Sequence, residues 1–267
     1  MSVGINCANR ATGMVSKIRR SLHSRLAADA TTRTIGPRSS NAMGRIRSVI
    51  GRSQDATYKN AYRTRRLEMF LRLVDGVLAQ KPVCRVLDVG GEAIYWRALE
   101  GVWSGRNLNI TLLNTGIQND VESRFAHICG DARDMKQFAD NSFDVVHSNS
   151  VIEHVGMWSD MKRMALEVRR LAPLYFVQTP NYWFPLEPHF RLLFIHWLPR
   201  PCRRRIVMWR ACGFYPRAGN VDEANTVVCD ASLLDEPSMR SLFPDARIIR
   251  ERVGPLTKSF IAARGMP

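Results

Sequence analysis

The residues from Cys84 to Trp96, C-R-V-L-D-V-G-G-E-A-I-Y-W, constrain the fold of this chain more than any other stretch. A β-branched apolar run with Asp88 near its end leads directly into Gly90 and Gly91, and then into a segment that can turn helical. This pattern predicts a buried strand that feeds a tight turn. In an open α/β sheet such a turn faces the crevice where nucleotide-like ligands bind, although strand, Gly-Gly and helix also occur without a ligand.

Strands and helices alternate along most of the remaining chain. Apolar periodicity and turn residues predict helices over residues 55–80, 94–102, 151–171 and 237–243. They predict strands over residues 83–89, 108–113, 125–129, 143–147, 174–177, 246–250 and 256–262. Alternation of this kind favours a doubly wound, mostly parallel sheet.

The positive charge is concentrated in a leader. The chain has 267 residues and a formal charge of +15, of which residues 1–54 carry +9. Such a leader is most often a solvated tail, but it also resembles an organellar transit peptide or a basic arm for anionic lipid or nucleic acid. Residues 55–267 are then the folded domain.

The sequence predicts a cytoplasmic protein, with peripheral membrane contact as one option and an organelle as another if the leader is a transit peptide. The longest apolar runs are too short to span a bilayer, which takes roughly 18 uninterrupted apolar residues. The six cysteines form no C-x-x-C pair and have no metal-ligand spacing with histidine. We therefore expect a reducing compartment, no disulfides and no bound metal.

The stretch from Gly130 to Val155 carries the most specific resemblance. It reads G-D-A-R-D-M-K-Q-F-A-D-N-S-F-D-V-V-H-S-N-S-V-I-E-H-V, with a G-D-A turn, a D-N-S-F-D-V-V strand and a V-x-E-H helix start in register over 26 positions. In this pattern the chain resembles class I S-adenosylmethionine-dependent methyltransferases, of the group related to ubiquinone and menaquinone methyltransferases (methyltransferase type 11). The resemblance covers about residues 60–263. It implies a Rossmann-like α/β fold, with a seven-stranded sheet whose last strand is antiparallel.

The resemblance also implies S-adenosyl-L-methionine as the cofactor and assigns one part of its site to the first two strands. Asp88, Gly90 and Gly91 match the motif that holds the methionine part. Asn114 stands where the family usually has an acid that binds both ribose hydroxyls, although an amide supplies one acceptor and a donor. The usual D-x-G-x-G-x-G is D-V-G-G-E-A-I here, so the loop could have another shape or a lower affinity.

The other cofactor positions follow the third and fourth strands. Asp131, with the backbone of Ala132, matches the position that binds the adenine amino group, and an ordinary turn aspartate is the alternative. Asn149 matches the family position near the reacting methyl group. His154 is the best candidate for a general base because its reference pKa lies near neutrality, with packing or helix capping as the alternative.

Residues 182–220 depart from the strand and helix alternation and form a predicted insertion after the fifth strand. They are aromatic, broken by prolines and followed by basic residues, and we expect them to cover one end of the sheet and to determine the acceptor. Tyr182, Glu187 and His189 are the substrate candidates. The aromatics could stack on sugar rings, lie at a membrane interface or simply pack over the sheet.

Three functions remain open from the sequence. The first is methyl transfer to an oxygen or nitrogen atom of a small molecule, such as a glycan or lipid-linked acceptor. The second is an RNA methyltransferase that uses the basic leader, although no Asn-Pro-Pro-Tyr follows the fourth strand. The third is a non-catalytic binding protein with the methyltransferase fold, which Glu92 and Asn114 suggest. A nicotinamide dehydrogenase is disfavoured because G-x-G-x-x-G is absent.

Overall fold

The described residues form one seven-stranded α/β sheet, which confirms the predicted fold class. The structure is a computed structural model that describes residues 60–116 and 124–266. The strands are β1 (Cys84–Val89), β2 (Leu108–Asn114), β3 (Phe125–Cys129), β4 (Val145–Asn149), β5 (Leu174–Pro180), β6 (Leu186–Glu187), β7 (Leu192–Leu193), β8 (Arg247–Val253) and β9 (Leu256–Arg264). The sheet order is β3-β2-β1-β4-β5-β9-β8, and β6 pairs separately with β7.

The sheet is parallel from β3 to β5. The last strand in the chain, β9, lies between β5 and β8 and is antiparallel to both. Asp88 of β1 lies between Leu112 of β2 and His147 of β4. The fully buried strands are rich in Val, Leu and Ile because helices cover both faces of a parallel sheet. This register brings the carboxyl ends of β1, β2 and β4 to the same edge.

Helices flank this sheet and supply most of the apolar packing. They are α1 (Ala61–Leu78), α2 (Ala93–Ala98), α3 (Glu100–Trp103), α4 (Trp158–Leu171), α5 (Arg200–Trp209), α6 (Val221–Cys229) and α7 (Glu236–Leu242). The Asn60 side chain caps α1 by accepting the N–H of Arg63 at 3.1 Å. Residues 55–59 of the predicted first helix lie outside the described residues, as does the predicted leader 1–54.

The prediction of one helix over residues 151–171 is wrong. A short 3₁₀ helix, Ile152–His154, comes first, and α4 begins only at Trp158. Gly156 has a φ of 126°, which a helix does not allow. The carboxylate of Asp160 then caps the start of α4 by accepting the N–H of Met157 at 3.0 Å. The break holds the residues before it at the sheet edge.

The predicted helix over residues 94–102 is likewise split, into α2 and α3. Leu99 lies between them with φ −111° and ψ 16°, which is outside the helical region. Its side chain is buried, with 1% exposure. The break thus lies at a buried apolar residue. Apolar periodicity alone does not reveal the break, because Leu99 fits the helical pattern.

The insertion extends beyond residues 182–220 and has its own apolar core. It contains the β6–β7 hairpin, a 3₁₀ helix (Ile195–Trp197), α5 and α6, and thus continues to Cys229. Its core is formed by Phe190, Ile195, Val207, Cys212, Ala218, Ala224, Val227 and Val228. Because α6 packs against α5, this apolar core extends past the predicted boundary at residue 220. None of the described helices is long and apolar enough to cross a membrane.

Candidate active site

The loop after β1 depends on two glycines that the sequence singled out. Gly90 has a φ of 75°, and a Cβ built on it would lie 2.4 Å from Val151 Cγ2. A Cβ on Gly91 would lie 2.3 Å from Asp88 Oδ2. Any other residue would therefore collide at either position, and Gly90 would also be strained.

The two expected glycines that are missing are not required by this loop. Glu92 has φ −127° and ψ 136°, ordinary extended backbone, and Ile94 lies inside α2. The D-V-G-G-E-A-I sequence thus encodes a turn that enters its helix directly after two glycines.

Asp88 lies beneath this loop and is 2% exposed. Its Oδ2 accepts the indole N–H of Trp96 at 2.8 Å, and its Oδ1 lies 2.7 Å from Nδ1 of His147. These contacts hold the loop on the sheet. Direct contact of Asp88 with the methionine part of a cofactor stays a prediction.

Asn114, at the end of β2, connects the first two loops. Its Nδ2 donates to the carbonyl of Gly91 at 3.4 Å, and its Oδ1 accepts the N–H of Thr115 at 2.8 Å. A carboxylate would place an oxygen against that carbonyl, so the amide suits this site better than the usual acid. The ribose role of Asn114 stays a prediction.

Asp131 is paired with an arginine that sequence analysis missed. Arg133 donates its backbone N–H to Oδ1 at 2.9 Å and its Nη2 to Oδ2 at 2.6 Å. These bonds hold the pKa of the Asp131 carboxyl below its usual range, although burial opposes the shift. The side chain is 41% exposed, which leaves acceptor positions for a ligand. Ala132 is buried in the main core, and only its backbone could bind a ligand.

Asn149, at the end of β4, belongs to a buried polar network on the α1 side of the sheet. Its Oδ1 accepts from Nη1 of Arg66, which also donates to Gln178 Oε1 at 2.9 Å. The other side of the Arg66 guanidinium binds both oxygens of Glu251, at 3.1 and 2.8 Å. Sequence analysis missed Arg66 and Glu251. The available signal was an arginine on the apolar side of the first helix.

His154 and His189 meet where the 3₁₀ helix after β4 touches the insertion. Their Nε2 atoms are 3.0 Å apart. Nδ1 of His154 lies 3.0 Å from the carbonyl oxygen of Asp230, and Nδ1 of His189 lies 2.7 Å from Glu187 Oε1. Burial is the largest single effect and lowers the pKa of His189, but the bond to Glu187 together with the charges of Glu187, Glu153 and Asp230 raises the pKa overall. The structure thus brings together three of the four predicted acceptor-side residues.

Tyr182, the fourth, lies beside a group of exposed aromatic residues. Its carbonyl accepts from His196 at 2.8 Å and from Trp197 at 3.0 Å, and its ring packs edge-on against Trp183. Trp183, Phe194 and Trp197 are 61%, 48% and 40% exposed. We call these three residues the aromatic patch.

One family model matches part of this chain. Residues 87–173, from β1 to the residue before β5, match the model of a methyltransferase domain. A comparison with curated proteins finds no match.

Several solved structures are also similar to this chain. An O-methyltransferase family protein from Burkholderia thailandensis is 13% identical, with 80% of this chain and 60% of that chain covered and a TM-score of 0.44. A complex of the Haloferax volcanii Trm112 methyltransferase activator with a methyltransferase is 19% identical. The match covers 74% of this chain and 77% of that chain, with a TM-score of 0.39. A sarcosine dimethylglycine methyltransferase from Galdieria sulphuraria is 16% identical. The match covers 72% of this chain and 62% of that chain, with a TM-score of 0.42. Over residues 87–173 the chain thus matches the methyltransferase domain family, and this match supports S-adenosylmethionine-dependent methyl transfer as its activity.

Proposed function

We propose that this chain transfers a methyl group from S-adenosylmethionine to an oxygen or nitrogen atom of a small molecule bound between the sheet edge and the insertion. The observation that carries the acceptor part is the contact of His154 with His189. Two titratable rings from different parts of the chain meet beside the β4 end, where the family pattern expects the reacting methyl group.

The residues at the sheet edge fit the cofactor. Gly90 and Gly91 let the backbone approach it closely, Asn114 offers amide chemistry toward the ribose, and Asp131 has exposed carboxylate surface for the adenine amino group. The buried hydroxyl of Tyr95 has no hydrogen-bond partner within the described residues, so a polar ligand group would relieve it. When bound, the cofactor supplies an activated methyl group on a sulfonium.

The protein's chemical contribution is alignment and proton handling. Methyl transfer is an in-line displacement, so the chain must hold the attacking atom opposite the sulfur. A hydroxyl or ammonium acceptor also has to lose its proton, and His154 with His189 is the group placed to promote this. Glu187 orients the His189 ring through its Nδ1.

The aromatic patch favours a glycan or lipid-linked acceptor within this proposal. Exposed tryptophans stack on sugar rings and also lie at membrane interfaces. The first residue of α5, Arg200, is exposed and close in sequence to the patch, which suits an anionic lipid or glycolipid. An RNA acceptor remains the second candidate, and it depends on the leader, outside the described residues.

The test is calorimetric titration with S-adenosylhomocysteine, followed by transfer of labelled methyl to sugar, lipid and RNA acceptors. Asn114→Ala should weaken binding about 10-fold, the free energy of roughly one hydrogen bond. Asn107→Ala is the matched control, since Asn107 immediately precedes the same strand at its opposite end and also donates to a carbonyl, at 2.8 Å.

The outcomes separate the candidate functions. Binding that survives Asn107→Ala and falls in Asn114→Ala supports the cofactor site. Absence of heat with the folded parent chain would favour the non-catalytic binding protein. Transfer to RNA that is lost without residues 1–54 would favour the RNA enzyme.

A further inference from the structure

Three side chains converge where the 3₁₀ helix meets the insertion. Glu153, His154 and His189 each present one ligand atom, and these atoms lie within 4.8 Å of one another. Glu153 and His154 adjoin in the chain, whereas His189 is 35 positions beyond His154. The cluster therefore exists only in the folded protein.

The partners of the two rings determine which nitrogens carry protons. A carbonyl oxygen only accepts hydrogen bonds, so His154 must donate its Nδ1–H to Asp230. His189 in turn donates its Nδ1–H to the Glu187 carboxylate. In their neutral forms both rings then direct Nε2 lone pairs at each other across 3.0 Å. This arrangement is repulsive unless a shared proton or a metal ion lies between the nitrogens.

Glu153 provides an independent observation in favour of a cation. Its side chain is 1% exposed, and within the described part of the chain its Oε1 has no hydrogen-bond partner. Only Oε2 is satisfied, by the hydroxyl of Thr179 at 3.0 Å. A buried carboxylate oxygen without a donor is costly, and a metal ion would satisfy it.

We propose that Glu153, His154 and His189 bind a divalent transition-metal ion such as zinc, with one coordination position left open. Imidazole and carboxylate ligands at about 2.0–2.2 Å suit zinc, and three protein ligands with an open position are typical of catalytic sites. Tetrahedral bonds of that length place ligand atoms about 3.4 Å apart. The two Nε2 atoms, 3.0 Å apart, would separate by a few tenths of an ångström, and the Glu153 oxygen, within 4.8 Å of them, would move in by about 1 Å.

Each ligand is held by a second partner, as in built metal sites. Thr179 binds Glu153, the Asp230 carbonyl binds His154, and Glu187 binds His189. Glu187 is itself fixed because its Oε2 accepts the backbone N–H of Phe190 at 2.5 Å. These contacts orient both Nε2 atoms toward one point.

The ion would position and acidify an acceptor oxygen at its open position, acting as a Lewis acid, so that the two rings would promote proton loss through the ion rather than as free bases. That role rests on the proposed methyl transfer, whereas binding of the metal does not. The metal site can therefore be tested without cofactor or acceptor.

The experiment uses the full-length chain without a histidine tag, stripped with chelator and dialysed. Cobalt(II) is titrated in while its visible absorbance is followed, and zinc binding is measured by calorimetry and elemental analysis. We expect one equivalent per chain. His189→Gln should abolish the cobalt spectrum, and Glu187→Gln should weaken zinc binding about 10- to 100-fold. His127→Gln, a substitution of a β3 histidine outside the cluster, should change neither.

Other outcomes would overturn the proposal. Binding well below one equivalent, or equal binding by His189→Gln and the parent, would mean that the two rings share a proton instead. Circular dichroism melting and S-adenosylhomocysteine binding of each variant show whether it is folded. Metal binding without cofactor binding would retain this site and reject the proposed function, and the reverse result would reject this site alone.

Discussion

Replacing Asp88 with alanine should lower the free energy of unfolding, and not only remove a cofactor contact. The carboxylate is the acceptor for the indole N–H of Trp96 and bonds Nδ1 of His147, and all three side chains are at most 2% exposed. A buried polar group left without its partner costs about 1–3 kcal/mol. Two such groups give a predicted loss of about 2–6 kcal/mol.

That loss is large against a typical total stability of about 5–15 kcal/mol. In a domain of this size, each kcal/mol lowers Tm by about 2–4 °C, so Asp88→Ala should melt roughly 5–20 °C below the parent. Asp88→Asn is the matched control. Its amide oxygen can still accept from Trp96 while its NH₂ faces His147, so it should lose clearly less.

The assay is urea or thermal denaturation by circular dichroism, together with calorimetric titration of S-adenosylhomocysteine at a temperature where every variant is folded. Our reasoning predicts a large stability loss in Asp88→Ala and only a secondary loss of affinity. It is refuted if Asp88→Ala lies within 1 kcal/mol of the parent while affinity falls 100-fold or more. The carboxylate would then contact the cofactor directly.

Three further predictions concern the sheet and its loop. Arg66→Met should destabilise the protein by about 3–5 kcal/mol in urea unfolding because it leaves the buried Glu251 carboxylate with the Ser259 hydroxyl but without its ion-pair partner, and the double variant with Glu251→Leu should lose less. Burial would raise the pKa of Asp144, but hydrogen bonds from basic side chains outweigh it and lower the pKa. The stabilisation by Asp144 should be fully present above about pH 4 and decrease as pH falls below it, so the stability difference between the parent and Asp144→Asn in denaturation curves should shrink steadily below about pH 4. Gly90→Ala should lower stability by about 2 kcal/mol, and Val151→Ala in the same chain should restore part of it in thermal melts.

The sheet could be predicted from the sequence because its signals are local. The run before Gly90 reads as β1 from its own apolar residues, and the structure gives Cys84–Val89. The D-N-S turn predicts the next buried strand, which begins at Val145 rather than at Phe143. In that strand the error is only a boundary shift, since edge residues have weak periodicity.

The polar contacts could not be predicted because they join distant parts of the chain. Arg66 and Glu251 are 185 positions apart, and nothing in either local sequence identifies the other. The same limit applies to the histidine pair. Both rings were separate candidates in the sequence, but their contact depends on the path of the insertion between them.

The insertion and the histidine pair are joined by direct contacts, so neither can change independently. Asp230, the residue after α6, contacts both. Its backbone carbonyl orients His154, and its side-chain carboxylate accepts a hydrogen bond from the hydroxyl of Tyr215 in the insertion. A Cβ on Gly213 would lie 2.2 Å from the carbonyl oxygen of His189. A change in insertion packing therefore moves the ring nitrogens that face the proposed acceptor. Because close-packed elements transmit small shifts, variation that adapts the insertion to a new acceptor has to preserve these contacts or lose the site.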